Sequence, residues 1–255
     1  MTVGIIGSGH LGSAIAHAAR EAMFGVGVFD RNPEKIEDPA TRLSLDRVTM
    51  ADIVVIAVKP QDFSGLVEQI HHVALGEQSI VVSVMAGVPL VRLSEELRTT
   101  RVVRSLPSLA AKVGESMTVW MAHPSLNAQE RGKVQKLFDA IGDEIEVDRE
   151  ELLDAAAVTG CIPGWLYHTL ALFEEEAIRL GFSSEQAQEI VHQMFLGAAE
   201  ITEEDHRSFA AWRDAVASKG GVTEAGVGVF SKRDLPGIMQ EVFETALKRT
   251  RELGS

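Results

Sequence analysis

Hydrophobic and polar positions follow two different rules along this chain. Up to about Val147, short apolar runs alternate with stretches whose apolar residues recur at helical spacing. The runs VGIIG (3–7), GVGVFD (25–30), DIVVIAV (52–58), SIVVSV (79–84) and RVVRS (101–105) are apolar on both faces. Strands read that way when helices cover both sides of a parallel sheet. Two weaker strand candidates, MTVWMA and EIEVD, follow. Between the runs, HLGSAIAHAAREAM, PQDFSGLVEQIHHVA and PLVRLSEELR each carry one apolar stripe. The alternation predicts a doubly wound α/β sheet. From Glu150 on, β-branched runs become rare and helices are expected over 150–181, 184–204, 207–217, 222–230 and 234–253. In LGFSS (180–184), Gly181 is placed to end one helix and Ser183 or Ser184 to cap the next.

Composition narrows the function classes. The 255 residues carry a formal charge of −13, which argues against nucleic acid or an anionic membrane surface as the main partner. Cys161 is the only cysteine, so an intrachain disulfide is impossible and a reducing compartment fits. The start, MTVGIIGSGHLG, lacks the basic flank and long apolar core of a secretory signal, and no uninterrupted apolar run is long enough to span a bilayer. A cytoplasmic protein is expected.

The sharpest chemical signal lies at the first strand-to-helix turn. GIIGSGHLGSAIA sets Gly7, Gly9 and Gly12 in G-x-G-x-x-G spacing. The first glycine permits the tight turn, the second lets a pyrophosphate approach, and the third lets the helix pack on the strand. Asp30 follows Gly7 by 23 residues at the end of the second strand, where an acid accepts from a ribose 2′-OH. The expected cofactor is NAD or NADP: Asp30 tilts the choice to NAD, whereas Arg31 and Asn32 beside it could hold a 2′-phosphate. Ser8, His10 and Leu11 complete the glycine turn. Ala57, Val58, Lys59 and Pro60 end the third strand, and Met85, Ala86 and Gly87 end the fourth. Both lie where an open α/β sheet presents ligand contacts, so all of these are expected to bind the cofactor.

Taken in order, GIIGSGHLGSAI, VVIAVKPQ, VVSVMAGVPLVRL, VVRSLPSLAAKVGESMT, TGCIPGWLY and ASKGGVTEAG make the chain resemble the pyrroline-5-carboxylate reductase family over nearly its whole length. The resemblance implies an N-terminal Rossmann-type doubly wound sheet (1–149) followed by an all-α dimerisation and substrate domain (150–255). It implies an interlocked homodimer, with higher assembly open, and NAD(P)H-dependent reduction of pyrroline-5-carboxylate to L-proline or of a related cyclic imino acid. The family's Ser-Pro-Gly-Gly-Thr-Thr loop grips the substrate. Here Ser218, Gly220, Gly221 and Thr223 match it, while Lys219 replaces Pro and Val222 the first Thr. The glycine amides at a helix start would take the carboxylate with help from the Ser218 hydroxyl, and Thr223 would bond the imine nitrogen. Ser218 and Thr223 are therefore the expected catalytic pair, and Ser218, Gly220, Gly221, Val222 and Thr223 the substrate contacts.

Departures open a second reading. Cys161, Ile162, Gly164 and Trp165 replace family residues in TGCIPGWLY, Ala156 stands where many members have Thr, and LPS (106–108) replaces M-P-N. Exchanging donors for apolar bulk relaxes or changes substrate choice. The alternative is a non-catalytic dinucleotide-binding paralogue with a regulatory or assembly role. A β-hydroxyacid dehydrogenase would want a catalytic Lys between 150 and 180, and the sequence has none there. The eight histidines lack ligand-like spacing, so no metal site is expected. Cys161 reads as a small packing residue, FEEEAIR (173–179) as a solvated face paired to Arg179, and Trp165, Tyr167 and Trp212 as pocket, core or interface.

Overall fold

The computed structural model describes residues 1–254. Seven strands form one sheet: β1 (Thr2–Ile6), β2 (Gly25–Phe29), β3 (Ile53–Ile56), β4 (Ile80–Ser83), β5 (Val102–Leu106), β6 (Ser116–Ala122) and β7 (Gly142–Glu146), in the order β2-β1-β3-β4-β5-β6-β7. The helices among them are α1 (His10–Glu21), α2 (Leu45–Val48), α3 (Phe63–Val73), α4 (Leu90–Leu97), α5 (Ala128–Asp139) and α6 (Glu150–Thr159). The chain passes from β1 outward to β2 and then back across β1 to β3, so the winding reverses between β1 and β3. The crevice at their carboxyl ends is where such sheets bind ligands.

Each of the seven expected runs became a strand, with ends moved by a residue or two. β3 stops at Ile56, and Pro60, which has no N–H, opens a 3₁₀ turn over Pro60–Asp62 after an extended Lys59. The sheet is not wholly parallel: β6 runs antiparallel to β5, with Val103 opposite Ala122 and Leu106 opposite Val119. Only residues 107–115 join the two strands, too few for the crossover a parallel pair needs. The apolar pattern had not announced α5, whose sequence AQERGKVQKLFD is mostly polar. Its start is nonetheless written in Asn127 and Glu130, which form a reciprocal capping box.

Successive strand residues feed opposite faces, as the two-residue period demands. Ile53 and Val55 join α1 and α5 residues such as Ile15 and Phe138 in one core, and Val54 and Ile56 join Phe63, Leu66 and Leu93 of α3 and α4 in the other. Arg104 of β5 is only 1% exposed and is paired with Glu150 and, at 2.8 Å, with Asp154. Glu150 also accepts the Leu90 N–H, so one carboxylate ties α6 to both β5 and the start of α4.

By contacts the chain forms two compact units: Met1–Gly160 together with the residues from Leu247, and Cys161–Ala246. The second contains α7 (Ile162–Arg179), α8 (Ser184–Glu204), α9 (Phe209–Val216), α10 (Val222–Lys232) and the start of α11 (Leu235–Gly254). The single helix expected over 150–181 is broken at Gly160–Cys161. Pro163, in the first turn of α7, lacks an N–H and its ring displaces the carbonyl four residues back. Gly181, at φ +109°, ends α7's extension, and Ser183 forms a capping box with Gln186 at the head of α8. In 161–246 only Ala187 and Val191 are buried.

Candidate functional site

The three fingerprint glycines have three separable jobs. Gly7 sits at φ +103°, and a Cβ there would lie 2.7 Å from the Ala57 carbonyl oxygen. At Gly12 a Cβ would fall 2.1 Å from the Gly7 oxygen, so α1 can approach β1 only because no side chain intervenes. A Cβ at Gly9 would meet nothing within 4 Å. The space over Gly9 is open beside the first amides of α1, those of His10, Leu11 and Gly12, which have no backbone partner. Such a helix start attracts an anion.

Asp30 closes the other side of the turn. One carboxylate oxygen accepts the Ser8 N–H and the other the Asn32 N–H, each at 2.8 Å. Burial raises its pKa, but these two amides, with smaller help from the Ser8 hydroxyl and the Lys35 charge, outweigh burial and hold it below the usual carboxylate range. The Ser8 Oγ is buried and makes no hydrogen bond of ordinary length. Asp30 thus clamps the glycine turn. Its oxygens each keep a lone pair for a ligand.

A cleft of about 490 Å³ opens at the β1–β3 switch point. It gathers Gly7, Gly9, Asp30, Arg31, Asn32, Ala57, Val58 and Lys59 from the expected set. Lys35, Gln61, Asp62, Leu66 and Gln69 line it as well. The sequence reading missed these five, although Gln61 and Asp62 stand next to AVKP and were within reach. A second hollow, about 800 Å³, lies against Ser8, Gly9 and His10, with His17, Leu109 and Lys112 on its walls. Leu11 is half-buried and Pro60 is exposed. Ala86 is exposed and Gly87 takes φ +76°. The Met85 side chain is 2% exposed within the core below α3 and α4, which leaves only its backbone for any ligand. Asn32 Oδ1 accepts the Glu34 N–H, and the Arg31 guanidinium is bound to Asp62 at 2.9 Å.

The paired glycines near the other end of the chain shape a turn before α10. Gly220 is at φ +74°, and a Cβ on Gly221 would lie 2.5 Å from the Ser218 Oγ. Their amides are not vacant: Gly220 N–H donates to the Glu224 carboxylate at 2.7 Å and Gly221 N–H to the Ser218 carbonyl at 2.8 Å. The first amides of α10, at Val222, Thr223 and Glu224, make no backbone bond. Ser218, Gly220, Val222 and Thr223 are exposed and Gly221 is half-buried. Cys161 is exposed rather than packed. Trp165 meets Phe243 edge to face at 5.0 Å, Tyr167 is exposed, and Trp212 lies under the Arg207 guanidinium. In the acidic face, Arg179 pairs with Glu176.

Residues 150–253 match the family described as pyrroline-5-carboxylate reductase dimerisation, and residues 2–87 the family described as NADP oxidoreductase, coenzyme F420-dependent. The pyrroline-5-carboxylate reductase of Staphylococcus saprophyticus is 31% identical over 206 residues, 80% of this chain and 76% of that one. Its Staphylococcus aureus counterpart is 30% identical over 207 residues, with the same two shares. Among solved structures, the pyrroline-5-carboxylate reductase of Coxiella burnetii superposes with a TM-score of 0.89 at 24% identity, covering 100% of both chains. The Plasmodium falciparum pyrroline carboxylate reductase, solved with NADP bound, gives 0.87 at 23% identity, covering 100% of this chain and 98% of that one.

Proposed function

The chain belongs to the pyrroline-5-carboxylate reductase family, and from that membership we propose that it reduces a cyclic imine carboxylate, pyrroline-5-carboxylate or a close relative, with NADH or NADPH. The observation that carries the cofactor assignment is the open space over Gly9, flanked by partnerless helix amides and by the clamped Asp30. Those features fit a dinucleotide: the α1 amides take its pyrophosphate, and Asp30, Arg31 and Asn32 lie where its adenosine ribose belongs. When bound, the reduced nicotinamide supplies a hydride to the substrate carbon.

What the chain itself supplies is positioning. A protonated cyclic imine is already electrophilic, so the protein's task is to hold the substrate acid and orient the C=N bond. Ser218, Thr223 and the turn between them are the residues we assign to that task. The amides of Val222, Thr223 and Glu224 are the available donors at the head of α10, because those of Gly220 and Gly221 are occupied. For the substrate to use Gly220 N–H, the Glu224 carboxylate has to leave it. The chain divides its labour between a cofactor part (1–149) and a dimerisation and substrate part (150–255), and it works as a homo-oligomer in the cytoplasm. The scarcity of buried residues in 161–246 supports a subunit interface.

The test is to incubate the protein with NADH or NADPH and a panel of five- and six-membered cyclic imino acids, following loss of the reduced nicotinamide absorbance. Imine-dependent oxidation supports the assignment. Cofactor binding without oxidation across the panel would instead identify a non-catalytic paralogue, the reading favoured by Ala156, Ile162, Lys219 and the self-satisfied glycine amides.

A further inference from the structure

We propose that Asp62 sets this chain's choice between the two dinucleotides, by engaging the Arg31 guanidinium and so weakening the cleft for a ribose 2′-phosphate. The proposal rests on the dinucleotide reading of the cleft. Arg31 directly follows Asp30 at the end of β2, whereas Asp62 closes the 3₁₀ turn after β3; the pair therefore bridges the two loops that bound the cleft, at 2.9 Å. The cations lining that cleft are Arg31, Lys35 and Lys59, of which Arg31 alone carries a guanidinium, and the acids are Asp30 and Asp62. Asp30 keeps its charge at neutral pH, since two amides donate to its carboxylate. A 2′-phosphate brings up to two further negative charges and is normally met by surplus arginine or lysine. Here the one guanidinium is already spoken for. Both members of the pair are well exposed, at 60% and 41%, so the latch is weak enough to be broken and strong enough to bias the outcome.

Asp62 is a positioning residue that acts through Arg31, and the test reads binding rather than turnover. Dissociation constants for ADP-ribose and for its 2′-phosphorylated form are measured by calorimetry on the full chain and on Asp62→Asn, Arg31→Ala and the double variant. Asp62→Asn should tighten the 2′-phosphorylated ligand about fivefold, the scale of one exposed ion pair, and change ADP-ribose less than twofold. In the Arg31→Ala background the same substitution should alter the ratio of the two constants by less than twofold. A wild-type ratio retained by Asp62→Asn would overturn the proposal. So would an equal shift in both backgrounds, which would make Asp62 a plain local charge. If the wild-type chain binds neither ligand, the dinucleotide reading itself falls and takes the proposal with it; binding of both with an unmoved ratio removes only the role of Asp62. Arg31→Ala, which removes an exposed side chain, also guards against a variant that fails to fold.

Discussion

At the scale of single residues, the fingerprint glycines separate structure from binding. Gly12→Ala should cost both, because its Cβ meets a backbone oxygen at 2.1 Å and either α1 or the turn must move. Gly9→Ala should leave the melting temperature unchanged, since its Cβ enters open space, yet weaken dinucleotide binding at least about tenfold, because that space is the one assigned above to the pyrophosphate. Parallel thermal melts and cofactor titrations distinguish the two; a Gly9→Ala variant that binds normally would remove the pyrophosphate from this turn. Thr223→Ala should impair turnover and leave cofactor affinity unchanged, and full activity of that variant would show that Thr223 has no part in imine reduction. The glycine turn was legible in the sequence because spacing and strand context specify it. The pairing of Asp62 with Arg31 was not, since the two lie 31 positions apart and only the folded turn after Pro60 brings them together. The Glu224 cap on Gly220 was within local reach, four residues on, but a motif read for its ligand hides the chain's own claim on the same amide.

Elements are joined by a few charged groups whose pairing carries predictions of its own. Arg104 is fully buried, whereas Glu150 and Asp154 are 32% and 41% exposed. Replacing both acids by amides (Glu150→Gln with Asp154→Asn) strands a buried guanidinium and should cost about 3 kcal/mol in urea unfolding. Arg104→Met should cost less, because the freed carboxylates can hydrate. Acid has a related effect. The pKa of Asp30 is lowered against burial by the Ser8 and Asn32 amides, that of Asp52 by the Thr2 amide, and that of Glu130 by the Asn127 amide and Arg101. Each group stabilises the fold fully above the ordinary carboxylate value of about 4, and that contribution is lost as pH falls through the lowered native value. Melting temperature should therefore be level above about pH 5 and fall below about pH 4, with Asp52→Asn flattening part of the decline. The strands themselves were readable because burial on both faces imposes continuous apolar runs. The antiparallel turn into β6 was not, since it depends on the length of a connection rather than on the strand's own residues.

For the whole molecule, the helices after Cys161 pose the main physical problem. Tyr167, Leu180, Met194, Phe209, Val222 and Ile238 are all exposed in a single chain. Within the stretch Glu150–Arg179, broken at Gly160–Cys161, an 18-residue window reaches a mean hydropathy of 1.2. Residues 150–253 match a family described as a dimerisation unit, and on the proposed reading such apolar exposure is covered within a homo-oligomer. Met194→Glu on α8 should shift sedimentation toward monomer and make the melting temperature depend strongly on protein concentration. A variant that stays associated would place the interface elsewhere. That this half is helical was visible in the sequence, but which of its apolar residues stay uncovered was not, because a helical stripe looks the same whether its own chain or another covers it.

That Ala187 and Val191 are the only buried positions between 161 and 246 reaches as far as gene expression. In a newly made copy the helices after Cys161 would have little to fold upon until they met another copy, and while waiting they would be open to proteases. At low transcript levels the yield of working enzyme would then rise more steeply than in proportion to synthesis.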